Sequence, residues 1–192
     1  GWLYIQGTNI NYPVIFYPQD SFHYVSLGYD KQYSKNGVIY AESTTKTGSL
    51  KDMSLNTVLY GHNWTNVSAT PRLATATDVM FAQLPAFHYL DFATQNQFIH
   101  YANEDGAYVF QVFAVFYTEV SFIYYRPDPT KEQFDEMMSG VRARSIHNYD
   151  LDVEYGDKMI TLSTCTRAFG KSADQRFVVM GKMVPSGTQP VT

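Results

Sequence analysis

The sequence lacks the features that mark several large classes of protein. Cysteine occurs once among 192 residues, as Cys165, which excludes an internal disulfide and a zinc site built from several cysteines. No run of apolar residues reaches the ~20 that are needed to span a bilayer. Charged residues make up only 17% of the chain, and 14 basic against 18 acidic side chains give a net charge of −4 with no basic stripe. This composition argues against a coiled coil and against a nucleic-acid partner.

Aromatic side chains, in contrast, are abundant. The chain has 16 Tyr, 13 Phe and 2 Trp, and 45% of its residues are hydrophobic. Such residues favour pleated, half-buried surfaces, so we predict a mainly β fold. No linker, repeat or low-complexity tract divides the sequence, which predicts one domain over residues 1–185 and a tail over residues 186–192.

Strands and one helix are predicted along this domain. Runs rich in Val, Ile, Tyr and Thr between turn signals predict strands at 10–17, 37–42, 56–60, 97–102, 107–119, 158–163 and 176–184. Helical spacing of apolar residues predicts a helix over 131–144, whereas 80–90 is ambiguous because Pro85 interrupts it. Many strands with one late helix indicate a closed or nearly closed β-barrel.

The single cysteine has two interpretations. A free cysteine is commonly a small buried hydrophobe, which is the first of them. The apolar run ends at Leu162, however, and Cys165 lies in a polar continuation of the predicted strand. A thiol at the mouth of a barrel strand is accessible, and an accessible, activated thiol is a nucleophile.

A cysteine nucleophile needs a proton donor or acceptor and a group that stabilises an oxyanion. Among the five histidines, His62 stands out because it follows a predicted strand end, as Cys165 does; the alternative is a solvated turn residue. Arg176 begins the last predicted strand, so a short loop brings it beside Cys165, where its guanidinium can donate to negative charge. Its alternative role is a surface ion pair with Asp174.

Two polar loops, 63–79 and 166–175, are predicted to be mobile. The first follows His62 directly and contains two matches to the glycosylation acceptor pattern, at Asn63 and Asn66. We interpret both as chance matches in a segment rich in Asn, Ser and Thr.

These motifs carry a family resemblance. The segment Thr161-Leu-Ser-Thr-Cys165, followed by Arg176-Phe-Val-Val179 and preceded by Tyr60-Gly-His62-Asn63, closely resembles the sortases of Gram-positive bacteria, and class B most nearly. The opening Gly1-Trp2 and the predicted helix before the final strands are also similar. The resemblance covers nearly the whole chain in the right order.

The resemblance implies a closed eight-stranded sortase barrel with short helices and one longer helix between late strands. It implies transpeptidation of a C-terminal sorting signal, cleaved after Thr, without a metal or cofactor. Cys165 is then the nucleophile, His62 the general acid and then base, and Arg176 the oxyanion stabiliser. The residues expected to contact the sorting peptide are Ser163, Thr164, Phe122 and Ile123.

The resemblance also implies a location and partners. We expect a membrane-tethered enzyme on the extracellular face of the plasma membrane, attached through an N-terminal segment outside this sequence, which opens at Gly1. Its partners are surface or pilin proteins that bear a sorting signal, together with an amine acceptor. A peptidoglycan precursor and a pilin lysine both remain open as acceptors. The 63–79 loop is longer than class B leads us to expect, and we hypothesise that it governs acceptor choice.

Two other classes of protein remain as alternatives. A cysteine endopeptidase shares the Cys/His chemistry but transfers the acyl group to water. No caspase-like or papain-like context surrounds Cys165, and a histidine that precedes the cysteine is not the papain order. A non-catalytic surface-binding barrel requires the coincidence of Cys165, His62 and Arg176 to be accidental.

Overall fold

The computed structural model describes residues 1–73 and 75–190; position 74 of the predicted 63–79 loop and positions 191–192 of the predicted tail lie outside the described residues. The described residues form eight strands that close into a barrel, as predicted, and the strand order around it is β1-β2-β3-β4-β7-β8-β6-β5. The strands are β1 Trp2–Ile5, β2 Asn11–Ile15, β3 Ile39–Ala41, β4 Asn56–Tyr60, β5 Phe98–Asn103, β6 Gly106–Glu119, β7 Met159–Cys165 and β8 Gln175–Val184.

The topology brings three strand ends to one rim of the barrel. Strand β4 pairs with β7 in parallel, so both chains leave the sheet at the same end. Strand β8 pairs with β7 antiparallel and therefore begins where β7 ends. Because parallel neighbours share an end, residues that follow β4 lie beside the last residues of β7.

One strand was not predicted, and another extends past its predicted end into the candidate site; the remaining strands match the prediction to within one or two residues at each end. Trp2–Ile5 is absent from the predicted strands, yet it closes the barrel by pairing with both β2 and β5. Strand β7 continues past the predicted end at Ser163 to Cys165. The reason is that β8 continues to pair with β7 beyond the end of β4, with Thr164 opposite Phe177 and Cys165 opposite Arg176, which satisfies the backbone of this polar segment.

The predicted helix forms with the predicted bounds, as α2 Lys131–Arg144. Thr130 and Gln133 cap its first turn reciprocally. The ambiguous 80–90 segment forms a 3₁₀ helix, Leu84–His88, followed by α1 Leu90–Gln95. Pro85 lies in the first turn of the 3₁₀ helix, where its missing N–H leaves no acceptor unpaired. No helix within the described part of the chain is both long and apolar enough to cross a bilayer.

Two apolar clusters stabilise the fold. The first fills the barrel, where Leu3, Leu59, Phe110 and Phe177 have no exposed surface. The second lies between α2 and the outer face of the sheet. It includes these buried side chains: Phe116, Phe134, Met137, Met138, Val141 and Val178. The apolar face of α2 is therefore used for packing, and the rim that carries the strand ends remains open.

Candidate active site

The ends of β4 and β7 are tied together at the rim. The Gly61 N–H donates to the Ser163 carbonyl at 3.3 Å, and the Thr164 hydroxyl donates to the Gly61 carbonyl at 2.7 Å. A Cβ on Gly61 would lie 2.5 Å from the side chain of Ile39, so only glycine allows this close approach. Since His62 follows Gly61 directly, the residues that bond Gly61 also fix where the histidine leaves the strand.

Cys165 and Arg176 are direct partners in the β7–β8 register, as the sequence predicts. Cys165 is free and partly exposed, which does not fit a fully buried hydrophobe. The Arg176 Nη1 donates to the carbonyls of Ala173 and Gln175, at 2.7 and 3.0 Å. Within the described residues, its other N–H groups make no hydrogen bond and it forms no ion pair with Asp174. The guanidinium is therefore held in place with donors to spare.

The His62 ring is engaged by residues other than the cysteine. Its Nε2 lies 2.7 Å from the Val25 carbonyl oxygen. The Trp64 ring is stacked on it with centroids 4.8 Å apart and an interplanar angle of 27°. Among the residues that the structure describes, no hydrogen bond links His62 to Cys165. Catalytic hydrogen bonds often form only when substrate is bound.

A single cleft of about 440 Å³ contains most of the predicted site. Five of the seven predicted residues line it: His62, Ser163, Thr164, Cys165 and Arg176. Its walls are largely aromatic, and the tyrosines there are Tyr40, Tyr60, Tyr124 and Tyr125. The structure thus brings the thiol, the imidazole and the guanidinium to one concave surface with apolar walls, as is typical of ligand sites.

The other two predicted residues lie elsewhere. The ring of Phe122 packs on α2, with the Arg144 guanidinium carbon 4.1 Å from its centroid, and it does not line the cleft. Ile123 is 36% exposed and lines an adjoining cavity of about 560 Å³. This cavity meets the cleft at Glu42 and Tyr125, which line both. The local sequence at 122–123 does not distinguish a residue that faces the cleft from one that faces the helix.

Three of the cleft tyrosines, Tyr40, Tyr60 and Tyr124, have a raised pKa. Burial raises the pKa of Tyr124 to about 12, although the hydrogen bond with the Ser163 hydroxyl, at 2.7 Å, opposes the rise. Burial is also the main cause that raises the pKa of Tyr40, and negative charge on Cys165 would raise it further. The pKa of Tyr60 is raised by burial and by the nearby Glu42 carboxylate. Near neutral pH these phenols therefore add no negative charge beside the thiol.

Glu42 is a residue of the cleft that sequence reasoning missed. Its carboxylate accepts hydrogen bonds from Ser21 at 2.6 Å, Tyr60 at 3.0 Å and Ser43 at 3.2 Å. Ser21 and Tyr60, from two other segments, and the adjacent Ser43 hold it at the junction of the two cavities. An acidic residue just after β3 is the only local signal, and it is a weak one.

The 63–79 loop is bonded closely to the rim. Composition predicts mobility here, but Asn63 and Asn66 are buried at 3% and 2% exposure. The Asn63 Nδ2 donates to the carbonyls of Asn66 and Cys165, at 2.8 and 3.2 Å. Val67 accepts from the Arg167 N–H at 2.8 Å. The side-chain amides of these two asparagines provide the hydrogen bonds that secondary structure would otherwise supply. Because both are buried, neither is accessible to glycosylation, which agrees with the interpretation of the two acceptor patterns as chance matches.

A buried carboxylate organises the far side of this loop. Burial raises the pKa of Asp78, but hydrogen bonds from Thr75 and Thr65 and the charge of Arg72 lower it more, and the net direction is downward. The Arg72–Asp78 ion pair spans 2.5 Å. The negative charge of Asp78 is thus compensated inside the loop.

Comparisons with known proteins agree with this geometry. The chain matches the Sortase domain family over residues 3–184. Sortase B of Staphylococcus aureus (strain NCTC 8325 / PS 47) is 28% identical over 185 residues, which are 96% of this chain and 69% of that protein. A Staphylococcus aureus sortase B–substrate complex superposes with a TM-score of 0.79 at 26% identity and covers 97% of this chain and 79% of that one. A crystal structure of sortase B complexed with triglycine superposes with a TM-score of 0.77 at 26% identity and covers 97% of this chain and 80% of that one. The chain therefore belongs to the sortase family, has class B sortases as relatives, and is a sortase-type cysteine transpeptidase of the kind found at the cell surface.

Proposed function

We propose that this sortase cleaves a C-terminal sorting signal after a threonine, retains the protein as a thioester on Cys165 and transfers it to an amine of a peptidoglycan precursor. One observation carries the proposal: Cys165 is the register partner of Arg176, and His62 leaves the neighbouring parallel strand into the same cleft. The substrate-bound and triglycine-bound structures of related sortase B proteins support a peptide donor and a glycine-type amine.

The first half-reaction is acylation. The Cys165 thiolate attacks the threonyl carbonyl carbon, the C–S bond forms and the carbonyl π electrons move to the oxygen. The unpaired N–H groups of Arg176 donate to that oxyanion. The C–N bond then breaks, and the His62 imidazolium gives its proton to the leaving amine. A thioester and a neutral imidazole remain.

The second half-reaction is transfer. The acceptor amine attacks the thioester carbon, neutral His62 takes the proton that the amine loses, and the C–S bond breaks. Cys165 leaves as a thiolate and His62 is again an imidazolium, so the enzyme returns to its starting state without a cofactor. Arg176 stabilises the second oxyanion in the same position.

The cleft walls favour this charge distribution. Apolar and aromatic walls lower the local dielectric constant, so the attraction between Arg176 and an oxyanion is stronger there than in water. Because Tyr40 and Tyr124 stay neutral, no phenolate competes for the guanidinium. We assign Cys165, His62 and Arg176 as the catalytic residues on these grounds.

The proposed peptide contacts follow the two cavities. Ser163 and Thr164 lie on the cleft floor, where their hydroxyls are already bonded to Tyr124 and to the Gly61 carbonyl. We therefore assign both to shaping the floor, and we assign Ile123 to the upstream part of the peptide in the adjoining cavity. Phe122 supports α2 instead, because its ring packs there.

We place the enzyme on the extracellular face of the plasma membrane, tethered through an N-terminal segment outside this sequence. Sorting-signal-bearing surface proteins are its donors. The alternative acceptor is a pilin lysine, in which case the enzyme polymerises pilin proteins.

The test is incubation with a sorting-signal peptide, alone and with triglycine or a lysine-bearing peptide. Amine-dependent product and a Cys165 thioester in the mass spectrum support the proposal. Cleavage to acid alone identifies an endopeptidase, and no cleavage identifies a binding module. Cys165→Ala is the control: it is expected to abolish turnover at an unchanged melting temperature, because a partly exposed strand end loses little packing.

A further inference from the structure

The imidazole of His62 is held by a segment outside the rim. Its Nε2 lies 2.7 Å from the carbonyl oxygen of Val25. Val25 belongs to the connection 16–38, which joins β2 to β3. A carbonyl oxygen only accepts hydrogen bonds, so Nε2 carries the hydrogen in this contact.

A hydrogen on Nε2 determines the role of the other nitrogen. Neutral imidazole has one N–H and one acceptor nitrogen, so Nδ1 of His62 is the acceptor. Within the part of the chain that the structure describes, Nδ1 makes no hydrogen bond. His62 lines the same cleft as Cys165, and Nδ1 is thus the nitrogen that is left to exchange a proton with a reacting amine.

Trp64 covers one face of the same ring. The two rings are 4.8 Å apart and nearly parallel, at 27°. The Trp64 indole N–H donates to the Lys35 carbonyl at 3.1 Å, and the Lys35 ammonium lies 5.6 Å from the indole centroid. Trp64 is 51% exposed, so burial of its apolar surface is not its main contribution to the structure. Val25 and Lys35 lie in the same connection, which therefore fixes both the edge and the face of the imidazole.

The connection is itself well bonded. The Ser34 N–H donates to the Ser26 carbonyl at 3.0 Å, and the Tyr29 hydroxyl donates to the Pro13 carbonyl at 2.9 Å. These contacts close a turn around residues 26–34 and fasten it to β2. The Val25 carbonyl is consequently presented by an ordered element.

Gly37 packs directly against this carbonyl. It adopts a φ of +55°, and a Cβ there would lie 2.5 Å from the Val25 oxygen and 3.0 Å from the Tyr24 oxygen. Both the left-handed backbone and the close approach require glycine. Gly37→Ala therefore displaces the Val25 carbonyl without replacing any residue that lines the cleft.

We infer that the 16–38 connection orients His62: the Val25 carbonyl holds the imidazole hydrogen on Nε2, so that Nδ1 transfers the proton, and Trp64 is a positioning residue that fixes the plane of the ring. The inference rests on the proposed function, because it names the atom through which His62 acts. A neutral carbonyl takes the orienting role that a carboxylate has in many triads.

The first test is the tautomer of His62 in the intact chain. Long-range ¹H–¹⁵N correlation spectra are recorded with ¹⁵N-labelled histidine, at pH values where the His62 shifts no longer change and the ring is neutral. His62→Gln assigns the signals. We expect a protonated Nε2 and an unprotonated Nδ1. The opposite tautomer overturns the inference, even if the wild-type enzyme transfers its substrate normally. Absence of transfer with the expected tautomer instead overturns the proposed function.

The second test separates positioning from stability. Trp64→Ala is expected to lower kcat for amine transfer by on the order of tenfold, with KM for the sorting peptide little changed. Trp64→Phe keeps a stacking ring and is expected to restore most of kcat. Tyr33→Ala is the matched control, because Tyr33 is an aromatic residue of the 16–38 connection that is 81% exposed. Wild-type kcat in Trp64→Ala, or no rescue by Phe, contradicts the positioning role.

Gly37→Ala tests the carbonyl itself. We expect a mixture of His62 tautomers together with a lower kcat. A wild-type tautomer at wild-type kcat contradicts the assigned role of Val25. If this variant does not fold, the wild-type spectrum and the Trp64 pair decide the inference.

Discussion

The side-chain amide of Asn63 donates a hydrogen bond to the carbonyl oxygen of Cys165, at 3.2 Å. Asn63 follows His62 directly, so one buried amide connects the chain beside the proposed general acid to the proposed nucleophile. The same Nδ2 donates to the Asn66 carbonyl at 2.8 Å, and Oδ1 accepts from the Asn66 N–H at 2.9 Å. The relative position of thiol and imidazole therefore depends on the amide of Asn63.

Asn63→Asp is predicted to impair both stability and acylation. The substitution keeps the shape of the side chain but directs a carboxylate oxygen, which cannot donate, at two carbonyl oxygens. Loss of these donors at a buried position costs about 1–3 kcal/mol of unfolding free energy. Urea unfolding and the rate of thioester formation measure the two effects.

The matched control for Asn63→Asp is Asn148→Asp, which adds the same charge at an exposed position. We expect the control to behave as wild type. If Asn63→Asp does so too, the Asn63–Cys165 hydrogen bond does not position the site.

Arg176→Lys is predicted to be almost as inactive as Arg176→Ala. Lysine keeps the positive charge but lacks the planar set of N–H groups of arginine. In Arg176, two hydrogen bonds from this set hold the side chain to the carbonyls of Ala173 and Gln175. Loss of one oxyanion donor typically lowers the rate on the order of 100- to 1000-fold. Single-turnover acylation is the measurement, with Arg167→Lys, on the neighbouring exposed loop, as the control. A lysine variant within a few-fold of wild type would show that charge alone suffices.

Stability is predicted to fall between about pH 10 and pH 12. Burial raises the pKa of Tyr124 and of Tyr117 to about 12, above the ordinary tyrosine value of about 10. In this range the unfolded chain has lost protons that the native state still binds, so unfolding becomes more favourable as the pH rises. Below about pH 10 this contribution is fully present.

The urea midpoint, measured from pH 8 to pH 12, checks this dependence. Tyr124→Phe is expected to reduce the alkaline slope and, through loss of the Ser163 hydrogen bond, to cost about 1 kcal/mol at neutral pH. Tyr33→Phe, at an exposed position, is the control. Equal slopes for wild type and Tyr124→Phe would contradict the assignment to Tyr124.

The outer part of the 63–79 loop is predicted to govern acceptor choice. Deleting the whole loop is a poor test, because Asn63 and Val67 bond the chain at Cys165 and Arg167. Replacing the exposed Ser68 and Thr70 with alanine avoids these contacts. We expect an unchanged acyl-enzyme burst and an altered ratio of triglycine to lysine product.

The product ratio and the burst, measured by mass spectrometry, separate two roles for this loop. An intact ratio with a reduced burst would assign the loop to the sorting peptide instead. Ser172→Ala, at an exposed position of the neighbouring 166–175 loop, is the control.

The sequence alone determined the parts of this protein that depend on local pattern. The 3.6-residue spacing of apolar side chains set the bounds of α2, and the long apolar run predicted β6. The three chemical groups were also predictable, because Cys165 and Arg176 flank one short β-hairpin and His62 ends a strand. In each case the contacts that fix the element or the side-chain position are between residues close in sequence or follow from strand pairing.

Only the tertiary structure decided how those groups are held. The Val25 carbonyl, Trp64, Asn63 and Glu42 come from loops and strand ends without periodic pattern, and each has a hydrogen-bond partner that is distant along the chain. Phe122 likewise faces α2 for a reason that only packing reveals. The sequence around a polar or aromatic loop residue does not indicate its partner. The interaction energy of such a residue depends on a distant donor, acceptor or aromatic ring, and this partner comes within reach only when the barrel closes.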